Sequence, residues 1–120
     1  MRAQKTLSAS IDYRLSSVHL RAQEHPDENI LFVCRTEQAA QDAALRFRSL
    51  FGDHYGGVER AKALMHAPHK GRVEFVGLDF VNGYRLSHIF SDEVTAEELR
   101  EVKVPAGSSY DDRYCSGVRS

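Results

Sequence analysis

"ILFVC", residues 30–34, is the stretch of this sequence that decides the fold. It is a continuous run of apolar, mostly β-favouring residues with polar residues on both sides. Such a run is typical of a strand that is buried on both faces, as in a parallel sheet covered by helices. We therefore expect an α/β fold built around this strand.

The residues on either side of this strand predict the helices that would cover the sheet. Upstream, apolar residues recur at helical spacing from Leu7 to Ala22, and Thr6 can cap the helix that they predict. Downstream, Thr36 can cap a helix over "EQAAQDAALRFRSLF", which Gly52 would end. A weaker helical spacing follows in "VERAKALMHA", residues 58–67.

The second half of the chain predicts further strands and a short helix. "RVEFVGLDFV" (72–81) and "YRLSHIFS" (84–91) are strand-like, and an Asn-Gly pair between two such runs predicts a β-hairpin at Asn82-Gly83. Thr95 and Glu98 have the spacing of a capping box that opens a helix. The expected fold is thus a small, mostly parallel, three-layer α/β sheet with one hairpin.

The chain is expected to form one α/β domain over residues 1–104, followed by an irregular tail over 105–120 that is extended or ordered only on a partner. The predicted core is apolar and comes from the helices and from all the strands. It consists of Leu7, Ile11, Leu15, Val18, Ile30, Phe32, Ala44, Phe47, Val73, Phe75, Leu86 and Ile89.

Composition excludes some classes of function. The chain has 120 residues, 16 basic and 17 acidic, and a formal net charge of −1, so no global field attracts it to nucleic acid or to an anionic membrane. It has no run of apolar residues long enough to span a bilayer, and its two cysteines do not suggest a disulfide framework. We expect a soluble cytoplasmic protein. Nucleic acid is kept as a candidate partner, although the net charge does not support it.

Two adjacent acids, Asp92 and Glu93, end the apolar run "LSHIFS". An Asp at a strand tip can hold Mg²⁺ through a water, and a neighbouring Glu can polarise an attacking water. Two acids ahead of a capped helix also favour its N-terminal dipole, which is the commoner role for such a pair taken alone. The pair leaves both interpretations open.

The order of segments along the chain gives the first interpretation more weight. Lys5-Thr6 precede the first predicted helix, as the Lys-Ser/Thr of a phosphate-binding loop does, and the buried strand, "RTEQAA" and "LSHIFSDE" follow in turn. Over residues 4–95 the chain resembles the ATPase core of phage terminase large subunits and of helicase-like P-loop NTPases. In that family the Lys-Thr pair closes the Walker A loop, and a strand ending in Asp-Glu forms Walker B.

The resemblance implies ATP and Mg²⁺ as cofactors and a role for each motif residue. Lys5 would meet the β- and γ-phosphates, Thr6 and Asp92 would hold the Mg²⁺, and Glu93 would act on the water. Gln4 stands where the family has glycine, and the strand before the loop is missing, so phosphates should be cradled poorly and hydrolysis should be inefficient. The chain is either a piece of a longer protein or a shortened descendant, and an initial Met with a tail-like end favours the second.

A second hypothesis makes the chain a non-catalytic interaction or inhibitory factor, for example a phage accessory protein. An incomplete sheet leaves an edge that invites self-association or a partner strand. Tyr110, Arg113 and Tyr114 form an aromatic and charged cluster in the tail, and such residues are enriched at protein-binding hot spots. A hydrolase built from histidines and carboxylates has the least support.

Overall fold

The computed structural model describes residues 9–52, 56–81, 88–100 and 109–110. Within these ranges the chain forms four parallel strands, β1 (Ile30–Cys34), β2 (Val73–Gly77), β3 (His88–Asp92) and β4 (Ser109–Tyr110). They form a sheet in the order β2-β1-β3-β4. All five residues of β1 are buried, which confirms that the "ILFVC" run is the centre of an α/β fold.

The two strands that were expected to form a hairpin are not paired with each other. β2 and β3 run parallel to each other and lie on opposite sides of β1, so they are not hydrogen-bonded partners. Asn82-Gly83 lie outside the described residues. The Asn-Gly signal concerns only the local chain, whereas β1 pairs through both of its edges with strands that are distant in the sequence, and this long-range pairing decides the topology.

In the part of the chain that the structure describes, four α-helices accompany the sheet: α1 (Ile11–Glu24), α2 (Glu37–Phe51), α3 (Gly57–His66) and α4 (Ala96–Arg100). A single 3-10 turn, Leu78–Phe80, follows β2. The Thr36 hydroxyl caps α2 by accepting a hydrogen bond from the Ala39 N–H at 3.1 Å, and Gly52 ends that helix, as expected. α1 begins at Ile11, after a turn at residues 9–10, rather than at Leu7.

Two apolar clusters pack against opposite faces of the sheet. We call the face that carries Ile30, Phe32 and Cys34 the first face; α1 and α2 cover it. The second face carries Leu31, Val33, Val76 and Ile89, and Val81, Val94 and Leu99 cover it. Burying apolar surface stabilises a fold by about 25 cal/mol for each Å². Because both faces are covered, this burial can hold together a sheet whose three longer strands have only five residues each.

Most of the predicted core residues that fall in the described ranges are buried. They are Ile11, Leu15, Val18, Ile30, Phe32, Phe47, Val73 and Ile89. Ala44 and Phe75 are only half-buried, and Leu7 and Leu86 lie outside the described residues. Among the predicted core residues in the described strands, Ile89 alone lies on the second face.

The last strand lies within the segment that was expected to be an irregular tail. Ser109 and Tyr110 pair in parallel with His88 and Ile89, so two residues beyond position 104 extend the sheet. Within the described ranges no helix has the length and apolar character needed to cross a membrane.

Candidate functional site at the carboxyl edge of the sheet

The three longer strands end in line with one another. Cys34 is in register with Gly77 of β2 and with Asp92 of β3. We call this end the carboxyl edge, formed by residues 34–37, 77–79 and 92–95. In open α/β sheets ligands bind at the carboxyl ends of the strands, at the point where connections leave in opposite directions. Here β1 leads through α2 and α3 to β2 on one side, while β3 lies on the other side.

Asp92 is buried at the tip of β3, with 2% of its side chain exposed. Its Oδ1 lies 3.4 Å from the Nε of Arg14, in the first turns of α1. The Arg14 Nη1 also donates to the backbone carbonyl of Ser91 at 2.9 Å, and its Nε donates to the Ser10 hydroxyl at 3.1 Å. The start of α1 is therefore attached to the end of the strand that carries the twin acids.

Whereas the neighbouring Asp92 is buried, Glu93 is exposed. Its backbone has a φ of 63°, and it is the only residue other than glycine with a positive φ in the described part of the chain. Its carbonyl accepts a hydrogen bond from the Arg35 Nη2 at 2.5 Å. The turn at Glu93 thus separates the two carboxylates, one into the protein and one into solvent.

Arg35 connects the tip of β1 with α4. Its guanidinium makes a bidentate contact with the Glu98 carboxylate, with Nη1–Oε2 at 2.5 Å and Nη2–Oε1 at 2.8 Å. Glu98 also accepts from the Thr95 N–H at 2.9 Å, while the Thr95 hydroxyl accepts from the Glu98 N–H at 3.1 Å, so the predicted capping box forms. Hydrogen bonds from Arg35 and from the Thr95 backbone lower the pKa of Glu98 from its usual 4.5 to about 2.

At the carboxyl edge, the end of β2 lies in close contact with the start of α2. The Glu37 carboxylate accepts a hydrogen bond from the Gly77 N–H at 2.8 Å. A Cβ at Gly77 would lie 2.6 Å from the Glu37 backbone nitrogen, so only glycine allows β2 and α2 to approach this closely. Burial, together with the nearby carboxylates of Asp92, Glu37 and Asp42, raises the pKa of the Cys34 thiol far above its usual range. Cys34 is therefore a core residue and not a thiolate nucleophile.

The structure brings only some of the predicted site residues together. Asp92 and Glu93 both lie at the carboxyl edge, while Lys5 and Thr6 lie outside the described residues. Because α1 starts at Ile11, the Lys-Thr pair does not directly precede the helix as the sequence suggested. Tyr110 is placed by its backbone in β4, and Arg113 and Tyr114 lie outside the described ranges.

The sequence analysis did not predict the role of three charged residues that meet at this edge. Arg14 was an unremarkable member of an amphipathic helix, and Arg35 was only the polar residue after a strand. Glu98 was recognised as half of a capping box but not as the partner of Arg35. A signal existed for Glu98 alone, because the box is local, whereas the two arginines act across separations of 77 residues (Arg14 to Ser91) and 63 residues (Arg35 to Glu98).

The donor set at Asp92 does not fit a magnesium ion. Mg²⁺ needs octahedral oxygen ligands and retains several waters. The Asp92 carboxylate is buried, and the guanidinium of Arg14 lies against it. Among the described residues no group of three or more histidines, cysteines or acids could hold a metal ion.

Comparisons with protein-family models, with curated proteins and with solved structures gave no match for this chain.

Proposed function

We propose that the chain is a degenerate P-loop NTPase-like protein that binds nucleotide phosphates at the carboxyl edge and hydrolyses ATP inefficiently or not at all. One observation supports this most: Arg14 ties the start of α1 to Ser91 and Asp92, with Nη1 2.9 Å from the Ser91 carbonyl. The start of α1 is therefore attached to the strand tip that carries the acids. We propose that Lys5 and Thr6, which lie upstream in the sequence, bind phosphates at the same edge.

The same contact argues against efficient turnover. In the mechanism implied by the resemblance, Asp92 would serve a metal and Glu93 would act on the attacking water. Asp92 instead faces a guanidinium, and Glu93 is exposed and has a left-handed backbone conformation. By the same resemblance, the proposed setting is phage nucleic-acid machinery.

Calorimetric titration with ATP tests the proposal, with Lys5→Ala as the diagnostic variant. We expect saturable binding to the wild type and strong weakening in Lys5→Ala, because a lysine point charge would contact the β- and γ-phosphates. Lys62→Ala is the matched control, since Lys62 is an exposed lysine on α3 whose contact with Glu59 is local. Absence of binding by the wild type, or equal weakening in both variants, would contradict the proposal.

A specific observation favours a second candidate, an interaction or inhibitory factor that uses the edge of the sheet. Within the described residues β2 has a strand neighbour on one side only, β1. Phe75 of β2 is half-buried, and Phe80, just beyond this strand, is 59% exposed. An edge strand with an exposed aromatic residue just beyond its end suits β-augmentation by a second copy or by a partner strand.

Size-exclusion chromatography with light scattering tests this candidate over a range of concentrations. Self-association through the β2 edge predicts a dimer that Phe80→Ser weakens. Leu45→Ser is the matched control, because Leu45 is 60% exposed but lies on α2. A concentration-independent monomer, or a dimer equally sensitive to both substitutions, would contradict self-association through this edge.

A further inference from the structure

The position of Arg14 bears on which ions the carboxyl edge can accept. Asp92 is the last residue of β3, and 2% of its side chain is exposed. A carboxylate in that position requires a positive partner, because removing an isolated charge from water costs several kcal/mol or more. The guanidinium of Arg14, 3.4 Å away and itself 21% exposed, supplies that charge.

Arg14 is held in place by groups other than Asp92. The Ser10 hydroxyl, at the N-cap of α1, accepts from its Nε at 3.1 Å, and the Ser91 carbonyl accepts from Nη1 at 2.9 Å. A side chain with contacts to a helix start, a strand backbone and a carboxylate does not leave easily for solvent. Its positive charge is therefore a fixed feature of the edge.

We infer that Arg14 occupies the place of a divalent cation at Asp92, so that it excludes Mg²⁺ and makes the binding of nucleotide phosphates at this edge independent of metal. A guanidinium and a divalent cation within about 4 Å of each other repel strongly, and the repulsion is twice that between two single charges, so a weakly held ion is excluded. The exclusion of metal follows from the Arg14–Asp92 contact alone. The metal-independent binding of phosphates rests on the proposed function.

Manganese binding, followed by the loss of the free-ion signal in electron paramagnetic resonance, tests the exclusion without any nucleotide. We expect no Mn²⁺ binding at Asp92 in the wild type and at least about tenfold tighter Mn²⁺ binding in Arg14→Gln. The gain should disappear in the double variant Arg14→Gln/Asp92→Asn. Arg46→Gln is the matched control, because it also breaks an arginine–aspartate pair, with Asp12, but on the surface, and it should gain nothing.

Wild-type Mn²⁺ binding that is lost in Asp92→Asn would overturn the inference, and so would a folded Arg14→Gln protein that gains no Mn²⁺ binding. Circular dichroism establishes whether each variant is folded. If Arg14→Gln does not fold, Arg14→Met decides, because methionine keeps an aliphatic side chain without the positive charge and should also gain Mn²⁺ binding.

A nucleotide titration distinguishes failure of this inference from failure of the proposed function. Wild-type protein that binds ATP with the same Kd in EDTA and in Mg²⁺ supports both. Binding that requires Mg²⁺ overturns the metal-independent binding but upholds the proposed function. No binding under either condition overturns the proposed function, and the Mn²⁺ measurement alone then decides whether Arg14 excludes metal.

Discussion

Glu93 adopts a left-handed conformation, with a φ of 63°, that side chains other than Gly, Asn and Asp rarely occupy. The turn aligns its carbonyl with the Arg35 guanidinium and directs its carboxylate outward. Strained residues of this kind cluster at functional sites, where the surrounding contacts hold them. Nothing in the sequence marks Glu93 as left-handed, since a strand ending in two acids is compatible with several turns.

Substitutions at Glu93 should distinguish the effect of its backbone conformation on stability from the role of its carboxylate. We expect Glu93→Asn to keep wild-type stability, because asparagine tolerates the left-handed region, and Glu93→Val to lose about 1–2 kcal/mol of unfolding free energy. Urea denaturation measures both. If the valine and asparagine variants were equally stable, the backbone strain at this position would be refuted. The asparagine variant then tests the carboxylate in ATP hydrolysis without a change of fold.

Gly77 is a second residue whose identity the fold restricts, here because β2 lies very close to the start of α2. A Cβ there would lie 2.6 Å from the Glu37 backbone nitrogen. Gly77→Ala should therefore cost about 1–3 kcal/mol of unfolding free energy by forcing β2 away from the start of α2. Adding Glu37→Ala should not rescue this loss, because the clash is with main-chain atoms. A Gly77→Ala protein as stable as the wild type would contradict the contact.

At the scale of elements, the helix caps could be predicted from the sequence and the strand partners could not. The caps at Thr36, Gly52 and Thr95 depend on residues three or four positions away, so the local sequence contains all the information. The partners of β2 and β3 depend on β1, which is distant in sequence. The hairpin prediction failed for that reason.

Arg35, Glu98 and Thr95 form one unit that joins α4 to β1, and this unit should respond to acid. The pKa of Glu98 is lowered from 4.5 to about 2, so the folded state holds the ionised carboxylate more strongly than the unfolded state. Its contribution to stability is complete above about pH 4.5 and is lost as the pH falls through about 2. Glu98→Gln should flatten the fall in stability across that window. A variant that kept the wild-type slope, measured by urea unfolding at several pH values, would contradict this linkage.

The contact between α1 and α2 should respond to pH in a separate window. The His19 ring stacks on Phe51 with centroids 4.2 Å apart, its Nδ1 is buried without a hydrogen-bond partner among the described residues, and burial lowers its pKa. The unfolded state therefore binds a proton more readily, and stability should fall as the pH drops below the usual value of 6.5. His19→Phe should keep the stacking and reduce the fall between about pH 7 and 5. The prediction fails if thermal unfolding of this variant shows the wild-type pH dependence.

At the scale of the whole molecule, the two ends of the sheet differ in character. At the amino end, the buried guanidinium of Arg60 donates to the carbonyls of Ala22 at 2.8 Å, His25 at 3.0 Å and Glu28 at 2.5 Å. These bonds satisfy one carbonyl in the last turn of α1, that of Ala22, and two carbonyls in the segment that leads from α1 to β1. At the carboxyl edge, Arg35 is half-exposed and Glu93 is exposed, so charged groups reach solvent there.

The α/β class and the position of the twin acids at a strand tip could be predicted from the sequence, because both follow from the "ILFVC" run and the apolar segment that ends at Ser91. The environment of Asp92 could not be predicted, because Arg14 is brought to it by the packing of α1 against β3. The same tertiary contact that supports the proposed site also argues against its catalytic use.

The most direct test of the proposed function is a titration of isotope-labelled protein with ATP, followed by the backbone amide signals in two-dimensional NMR. Binding at the carboxyl edge predicts saturable shifts concentrated at residues 34–37, 77–79 and 92–95, and at the start of α1. Shifts concentrated around Arg60 and residues 25–29 at the opposite end of the sheet, or no shifts at all, would contradict it.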